Sequence, residues 1–561
     1  MNTRIDSNST WKRTWRIAAA GMSVAAFAML AACGSDPAAA TASGQDAGSP
    51  QQGGTVTLVT DPDSLQCVDP FQTAWTQSRT IVRNYVDSLV DQDPKTGEIK
   101  PWLAKSWTIS DDGKTYTFTL KDGVTFSDGS KFDADAVVDT FTENLATLKE
   151  KPGTVGGFYV QNLTGVSKVD DHTVKFELSA PNASFLQGLA TPTLGIISRA
   201  SAKLTPQQRC DGQVVGTGPF TIEKYDAKSG LTLKKRTGYT SSSPLAAHQG
   251  DAYLDSIVIS YVSESSVRLG NLAAGTADVV WSGSDKPLVS NELSQIKQVG
   301  GTVESRPLPG ATFGLFPNVR NGGILSDNDV RQALSLSIDR ATYAKTVFRD
   351  GYPNVKGVIS STTPGFKAEP SSVEFDKAKA AKLLDAAGWK KGDDGYRYKD
   401  GKKLTVTFLT STKDDGYELL QDELKQTGFD FQIKVVTSAQ YTTLTNANKY
   451  DLVSLTYTRA DQSAINTLLD ERYATFKAIS GNTQDADTQA TIEAAFDKGT
   501  SATDTKERTS IYEGVQDTIS KQNVIIPVYE RSQDVALSSK VHGLRFTAES
   551  FGDFHDLWKA Q

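Results

Sequence analysis

At 561 residues the chain exceeds what one hydrophobic core usually supports, so two or three lobes are expected. Hydrophobic residues make up 38% and charged residues 22%, which excludes a disordered chain. Lys and Arg number 59 against 66 Asp and Glu, a net charge of −7. Such an acidic body excludes nucleic acid as the expected partner, because phosphates are bound by Lys and Arg.

The first 32 residues read as a secretory signal peptide. Arg4, Lys12, Arg13 and Arg16 stand against a single acid, Asp6, and precede the apolar run IAAAGMSVAAFAML at 17–30. A basic head, a short apolar core and small residues after it have this meaning. The run is too short to span a bilayer as a helix, which takes roughly 20 residues, and no other segment is long and apolar enough. Leu30-Ala31-Ala32-Cys33-Gly34 resembles the lipobox of bacterial lipoproteins, so Cys33 is expected to be acylated and to become the first mature residue. Residues 34–53 are small, polar and free of aromatic side chains. They cannot bury enough apolar surface to order themselves, so 33–53 is expected to be a lipid-anchored flexible stalk. With Cys33 acylated, Cys67 and Cys210 are the two thiols left in an oxidising compartment, where a disulfide is the default expectation.

Thr55-Val56-Thr57-Leu58-Val59-Thr60 alternates and is rich in β-formers, which predicts a strand. Trp107-Thr108-Ile109 and the TYTFTL run at 115–120 flank an Asp112-Gly113 turn, a hairpin signal. A second hairpin is predicted over 165–178 with Asp170 and Asp171 at its turn. Periodicity predicts helices over 134–148, 329–348, 376–387 and 506–521. The second carries Val330, Ala333, Leu334 and Ile338 on one face, with Asp327, Asn328 or Asp329 as its cap. Strands and helices alternate without a fixed repeat, which indicates an α/β or α+β body of several lobes.

The stretch 101–144, PWLAKSWTISDDGKTYTFTLKDGVTFSDGSKFDADAVVDTFTEN, closely resembles the signature region of the family 5 extracellular solute-binding proteins. Four further matches follow in order: Val215-Gly216-Thr217-Gly218-Pro219-Phe220; Val330-Arg331-Gln332-Ala333-Leu334 with Ile338-Asp339-Arg340; DKAKAAKLLDAAGW at 376–389; and Ile525-Ile526-Pro527-Val528. Together they span 54–546. Most of these motifs also have a plain structural reading, and Trp102, Trp107 and Trp389 are expected in cores.

The resemblance implies an α/β, bilobed periplasmic-binding-protein-like (class II) fold with an additional small subdomain. Lobe I is expected from 54–90, 205–305 and 530–561, the hairpin-rich subdomain from 91–204, and lobe II from 306–529. It further implies a monomer that captures a small solute, an oligopeptide first of all, by hinge closure between the lobes. The partner that takes the solute on is an ABC permease in the membrane. Oligosaccharides, opine-like compounds and metal chelates stay open as ligands, and a membrane-tethered sensor stays open as a role.

Family members that bind peptides pair the ligand's ammonium with an acid shortly after a Tyr-Asp strand. That stretch here runs from Tyr450-Asp451 to Asp461, so the resemblance points to Asp461, with Tyr457 near the place of the family's tryptophan. Arg459 is a candidate for a ligand carboxylate or for neutralising Asp461. Position along the fold adds Asp63 and Trp75 after the first strand, Tyr85 on the next element, Trp281 after Asp278-Val279-Val280, and Asn318 after the strand-like run at 313–316.

No GxSxG, HExxH or GxxxxGK[ST] motif is present, so no enzyme activity and no cofactor are expected. The four histidines, His172, His248, His542 and His555, lie at no metal-ligand spacing along the chain, so no metal site is expected.

Overall fold

The computed structural model describes residues 48–561 except 63–64, 66, 74, 152–155, 284–285 and 473–476. Cys33 and Asp63 lie outside the described residues. Among the described residues no helix is long and apolar enough to cross a membrane.

The chain first lays down six strands of one sheet: β1 (Thr55–Thr60), β2 (Phe220–Asp226), β3 (Gly230–Lys235), β4 (Ser256–Tyr261), β5 (Val279–Trp281) and β6 (Thr302–Pro307). It then crosses at 308–312 and builds a second sheet from β7 (Phe313–Pro317), β8 (Thr405–Thr410), β9 (Asp430–Val435), β10 (Leu452–Leu455) and β11 (Ile526–Tyr529). It returns at 530–531 to add β12 (Ser532–Leu537) to the first sheet. The first sheet runs β6-β12-β5-β1-β4-β3-β2 and the second β9-β8-β10-β7-β11. The two crossings are tied where the Leu308 amide donates to the Arg531 carbonyl at 2.9 Å.

Alternation puts an apolar core on each face of each sheet. Val56, Leu58, Val279, Val535 and Leu537 pack on one face of the first sheet, and Val59, Val280 and Ala536 on the other. Leu315, Val406 and Phe408 face one side of the second sheet, and Phe316, Leu409 and Val453 the other. A separate four-stranded sheet holds the two predicted hairpins: Ala104–Ile109 with Thr115–Leu120, and Leu163–Asp170 with Thr173–Leu178. Phe118, Phe141, Phe176 and Phe185 fill its own core with edge-to-face contacts.

The helices include α1 (Thr76–Arg83), α2 (Ala134–Glu150), α3 (Asn328–Leu336), α4 (Lys377–Ala386), α5 (Ala486–Ser501) and α6 (Thr505–Lys521). Asp327 caps α3, accepting from the Asp329 amide. The helix predicted over 329–348 is broken. Ser337 turns its hydroxyl back to the Ala333 carbonyl, and Asp339 caps a fresh turn at Arg340–Tyr343, continued by Ala344–Phe348. Apolar spacing carried across the break and hid it, while local side-chain bonds ended the helix.

Cys67 and Cys210 are joined as a disulfide, with Cα atoms 4.4 Å apart. Beside it the wholly buried Arg209 donates to Asp69 at 3.0 Å and to the Thr147 hydroxyl at 2.9 Å. Trp102 and Trp389 are buried and Trp107 is half-buried. The Trp102 indole donates to the Ser241 carbonyl at 2.5 Å.

Candidate functional site

The two crossings aim one loop of the second lobe at the first. The Ala311 amide donates to the Tyr457 carbonyl at 2.9 Å and the Arg459 amide to the Pro309 carbonyl at 3.1 Å, so residues 457–461 ride on the hinge. Gly310 makes this approach possible. Its φ is +101°, and a Cβ there would lie 2.2 Å from the Tyr457 carbonyl oxygen.

Opposite that loop stand Arg79 from α1, Tyr159 and Gln187 from the hairpin subdomain, and Glu549 from the C-terminal segment, all buried. The Tyr159 hydroxyl donates to Glu549 Oε1 at 2.8 Å and accepts from Arg79 at 3.4 Å, and Arg79 lies 3.6 Å from Glu549 Oε2. Arg459 reaches across the seam, its Nε donating to Gln187 Oε1 at 3.0 Å and its guanidinium lying 4.9 Å from the Tyr159 ring centre. Tyr457 packs edge-on against Phe158 at 5.4 Å. Among the described residues, Glu549 Oε2 and Arg79 Nε are buried without a hydrogen bond, Oε2 keeping only its 3.6 Å ion pair with Arg79. Burial pushes the Tyr457 hydroxyl up to about 12, so it stays a neutral donor.

Asp461 is differently placed from the expectation that it awaits a ligand's ammonium. Arg508 of α6 holds it with bonds of 2.7 and 2.9 Å, and Ser463 and Ser184 donate to it as well. Burial alone would raise its pKa, but the Arg508 charge outweighs burial and holds the carboxyl well below the usual range. Ser184 belongs to the hairpin subdomain, so this ion pair is shared across the seam. Gln92 adds a second bridge, its side-chain amide donating to the Ala460 carbonyl at 2.9 Å. A cavity of about 510 Å³ opens beside Asp461, Gln462 and Arg508.

The structure brings Tyr457 and Arg459 together at the seam and places the other expected residues elsewhere or at its edge. Trp281 ends β5 with its ring in the lobe core and its indole N–H unpartnered. Trp75 precedes α1 and is 57% exposed. Tyr85 lies in the core: its hydroxyl donates to the Val68 carbonyl, and Gly216 and Gly218 press on its backbone. Asn318 fastens a loop of the second lobe, donating to the Tyr450 carbonyl at 3.1 Å and accepting from the amides of Arg320 and Asn321. Arg79, Tyr159, Gln187, Glu549 and Arg508 were not legible in advance, because no local motif links positions hundreds of residues apart.

Folding also brings His248, His555 and Asp556 together, although their spacing hid it. His248 Nδ1 meets Asp556 Oδ1 at 2.7 Å and its Nε2 meets the Asp251 carbonyl at 2.9 Å. The imidazoles are stacked 4.1 Å apart and within 7° of parallel. The stack, with His555 Nε2 on the Gly250 carbonyl, fastens the C-terminal segment to the loop at 248–251.

Two sheet-centred lobes, joined by a double crossing and meeting over a buried polar seam, define a solute-capturing protein. The chain belongs to the bacterial extracellular solute-binding proteins, family 5, whose profile (Middle) matches residues 98–471. It is 30% identical over 323 residues to the dipeptide-binding protein of Escherichia coli, across 54% of this chain and 58% of that protein. It is 25% identical over 485 residues to the dipeptide-binding protein of Pseudomonas aeruginosa, across 81% and 85% of the two chains. The crystal structure of NikA from Brucella suis in complex with Fe(III)-EDTA superposes with a TM-score of 0.78 at 21% identity, over 90% of this chain and 100% of that one.

Proposed function

We propose that the chain is the extracytoplasmic receptor of an ABC importer that encloses a short peptide between its lobes and presents it, as a monomer, to a membrane permease. The observation that carries this reading is the seam itself. Arg79, Tyr159, Gln187 and Glu549 face Tyr457 and Arg459, and among the described residues Glu549 Oε2 and Arg79 Nε there make no hydrogen bond. A carboxylate oxygen that takes no hydrogen bond and meets Arg79 only at 3.6 Å suits a ligand ammonium, and two arginines suit a ligand carboxylate. A zwitterion with charges at both ends meets both demands, and both dipeptide-binding relatives fit that ligand class. Asp461 contributes by aligning the loop through Arg508 rather than by touching the ligand. Closure would follow from differential affinity, the ligand binding the shut form more tightly.

We further propose that acyl chains on Cys33 hold the protein at the outer face of the cytoplasmic membrane. Mass spectrometry of the mature N-terminus tests this, and an unmodified or uncleaved Cys33 would sink it. For the ligand, a thermal-shift panel of di- and tripeptides is decisive. A peptide at 100 times its dissociation constant should stabilise the protein by about 2.7 kcal/mol. If sugars or chelates shift the midpoint and no peptide does, the peptide reading falls.

A further inference from the structure

We infer that Gln533 reads the uncharged amide of the captured peptide, an inference that rests on the peptide reading above. Side chains alternate along β12. Asp534 points to one face, where it meets Arg349 and Ser305, and Ala536 packs on that same face. Val535 and Leu537 point to the other, into the core shared with Val56, Leu58 and Trp281. By that alternation Gln533 lies on the face of Val535.

The register extends the argument across the sheet. Trp281 pairs with Val535 and Thr60 pairs with Trp281, so the adjacent ends of β12, β5 and β1 present Gln533, Trp281 and Thr60 on one face. Each is buried, and each keeps a polar atom without a partner among the described residues: both amide atoms of Gln533, the Trp281 Nε1 and the Thr60 Oγ1. Gln77 of α1 leaves its Oε1 unpartnered too, and its Nε2 lies near Gly283, just after β5. Arg306, paired with Gln533 on β6, is turned away to Ser550 and to the Pro94 carbonyl. Buried polar groups are normally paired, and leaving them bare is costly. Thr60 and Trp281 close the carboxyl ends of the parallel strands β1 and β5, where open α/β sheets take their ligands, and Gln533 from the amino end of the antiparallel β12 and Gln77 of α1 join them; four such groups mark a place completed by a guest.

The chemistry of the row sets the guest's class. None of the four side chains is charged. Trp281 only donates, Gln77 Oε1 only accepts, and Thr60 and Gln533 do both. A peptide group, with one N–H and one C=O, answers that set, whereas a carboxylate offers no donor and an ammonium no acceptor.

The test is Gln533→Met, which keeps the volume and removes the amide. A mixed di- and tripeptide library first yields the tightest binder of the wild-type protein, and calorimetry then measures that peptide and its N-methyl-amide analogue on both proteins. The expected result is a peptide affinity at least tenfold weaker in the variant, with the ligand-free melting midpoint unchanged or raised. N-methylation should weaken binding to the wild type and leave the variant indifferent. Equal peptide affinity in both proteins, or a lowered ligand-free midpoint with normal affinity, would overturn the role of Gln533 while leaving the peptide reading standing. A wild-type protein that binds no peptide would remove both.

Discussion

Arg508 grips Asp461 through two hydrogen bonds, Nη2 to Oδ1 at 2.7 Å and Nη1 to Oδ2 at 2.9 Å, and Ser184 from the facing subdomain joins both partners. The hydroxyl accepts from Arg508 at 2.7 Å and donates to Asp461 at 3.0 Å. A charge pair that is satisfied on the second lobe thus becomes a contact surface for the first only when the halves are together.

Breaking the pair from one side should harm the fold more than the ligand contact. Asp461→Ala or Arg508→Ala leaves a buried charge bare, a loss of about 3–5 kcal/mol. Urea unfolding of the ligand-free protein measures it. Unchanged stability together with abolished peptide binding would return Asp461 to the role of ligand anchor.

Ser184→Ala should act on closure. Each half keeps its own packing, so ligand-free stability should move little. Losing a hydroxyl between two charges costs about 1.5 kcal/mol, or roughly tenfold in peptide affinity. Calorimetry paired with solution scattering checks this, and a variant that binds and compacts like the wild type would refute it.

Gly310→Ala should disturb the hinge and the loop together. The added Cβ meets the Tyr457 carbonyl, and the backbone must hold a positive φ, for a cost of about 1–3 kcal/mol or more. Lowered stability with weakened peptide affinity is expected. A fully active, equally stable variant would show that the loop does not ride on this crossing.

Stability should also fall between pH 5 and pH 8. Burial raises Glu369 to about 7 and Glu423 to about 7, from an ordinary value of 4.5. A carboxyl raised by folding favours its protonated form, so this stabilisation is complete below pH 4.5 and is lost as pH climbs through about 7. Glu369→Gln should flatten the decline in melting midpoint and raise it above pH 7. An unchanged slope would remove Glu369 as its source.

The hairpins, β1 and α2, α4 and α6 were legible because alternation, Asp-Gly turns and 3.6-residue periodicity are local. The break at Ser337 was not, since apolar spacing continued through it. At the site, only the 457–461 loop was legible, and only through family resemblance. Arg79, Gln187 and Glu549 meet because the chain crosses twice and its last segment folds back on α1. A motif shows the acid at Asp461 without showing the Arg508 that pairs with it from α6.

The position of β12 carries a consequence for biogenesis. It lies between β6 and β5, so a sheet whose first strand begins at Thr55 stays split until Leu537 has arrived. The second sheet draws all five of its strands from between Phe313 and Tyr529 and is complete before then. In a chain threaded outward from its amino end, the half started first is therefore finished last. A polypeptide stopped thirty residues short would carry one complete half and one that cannot shut.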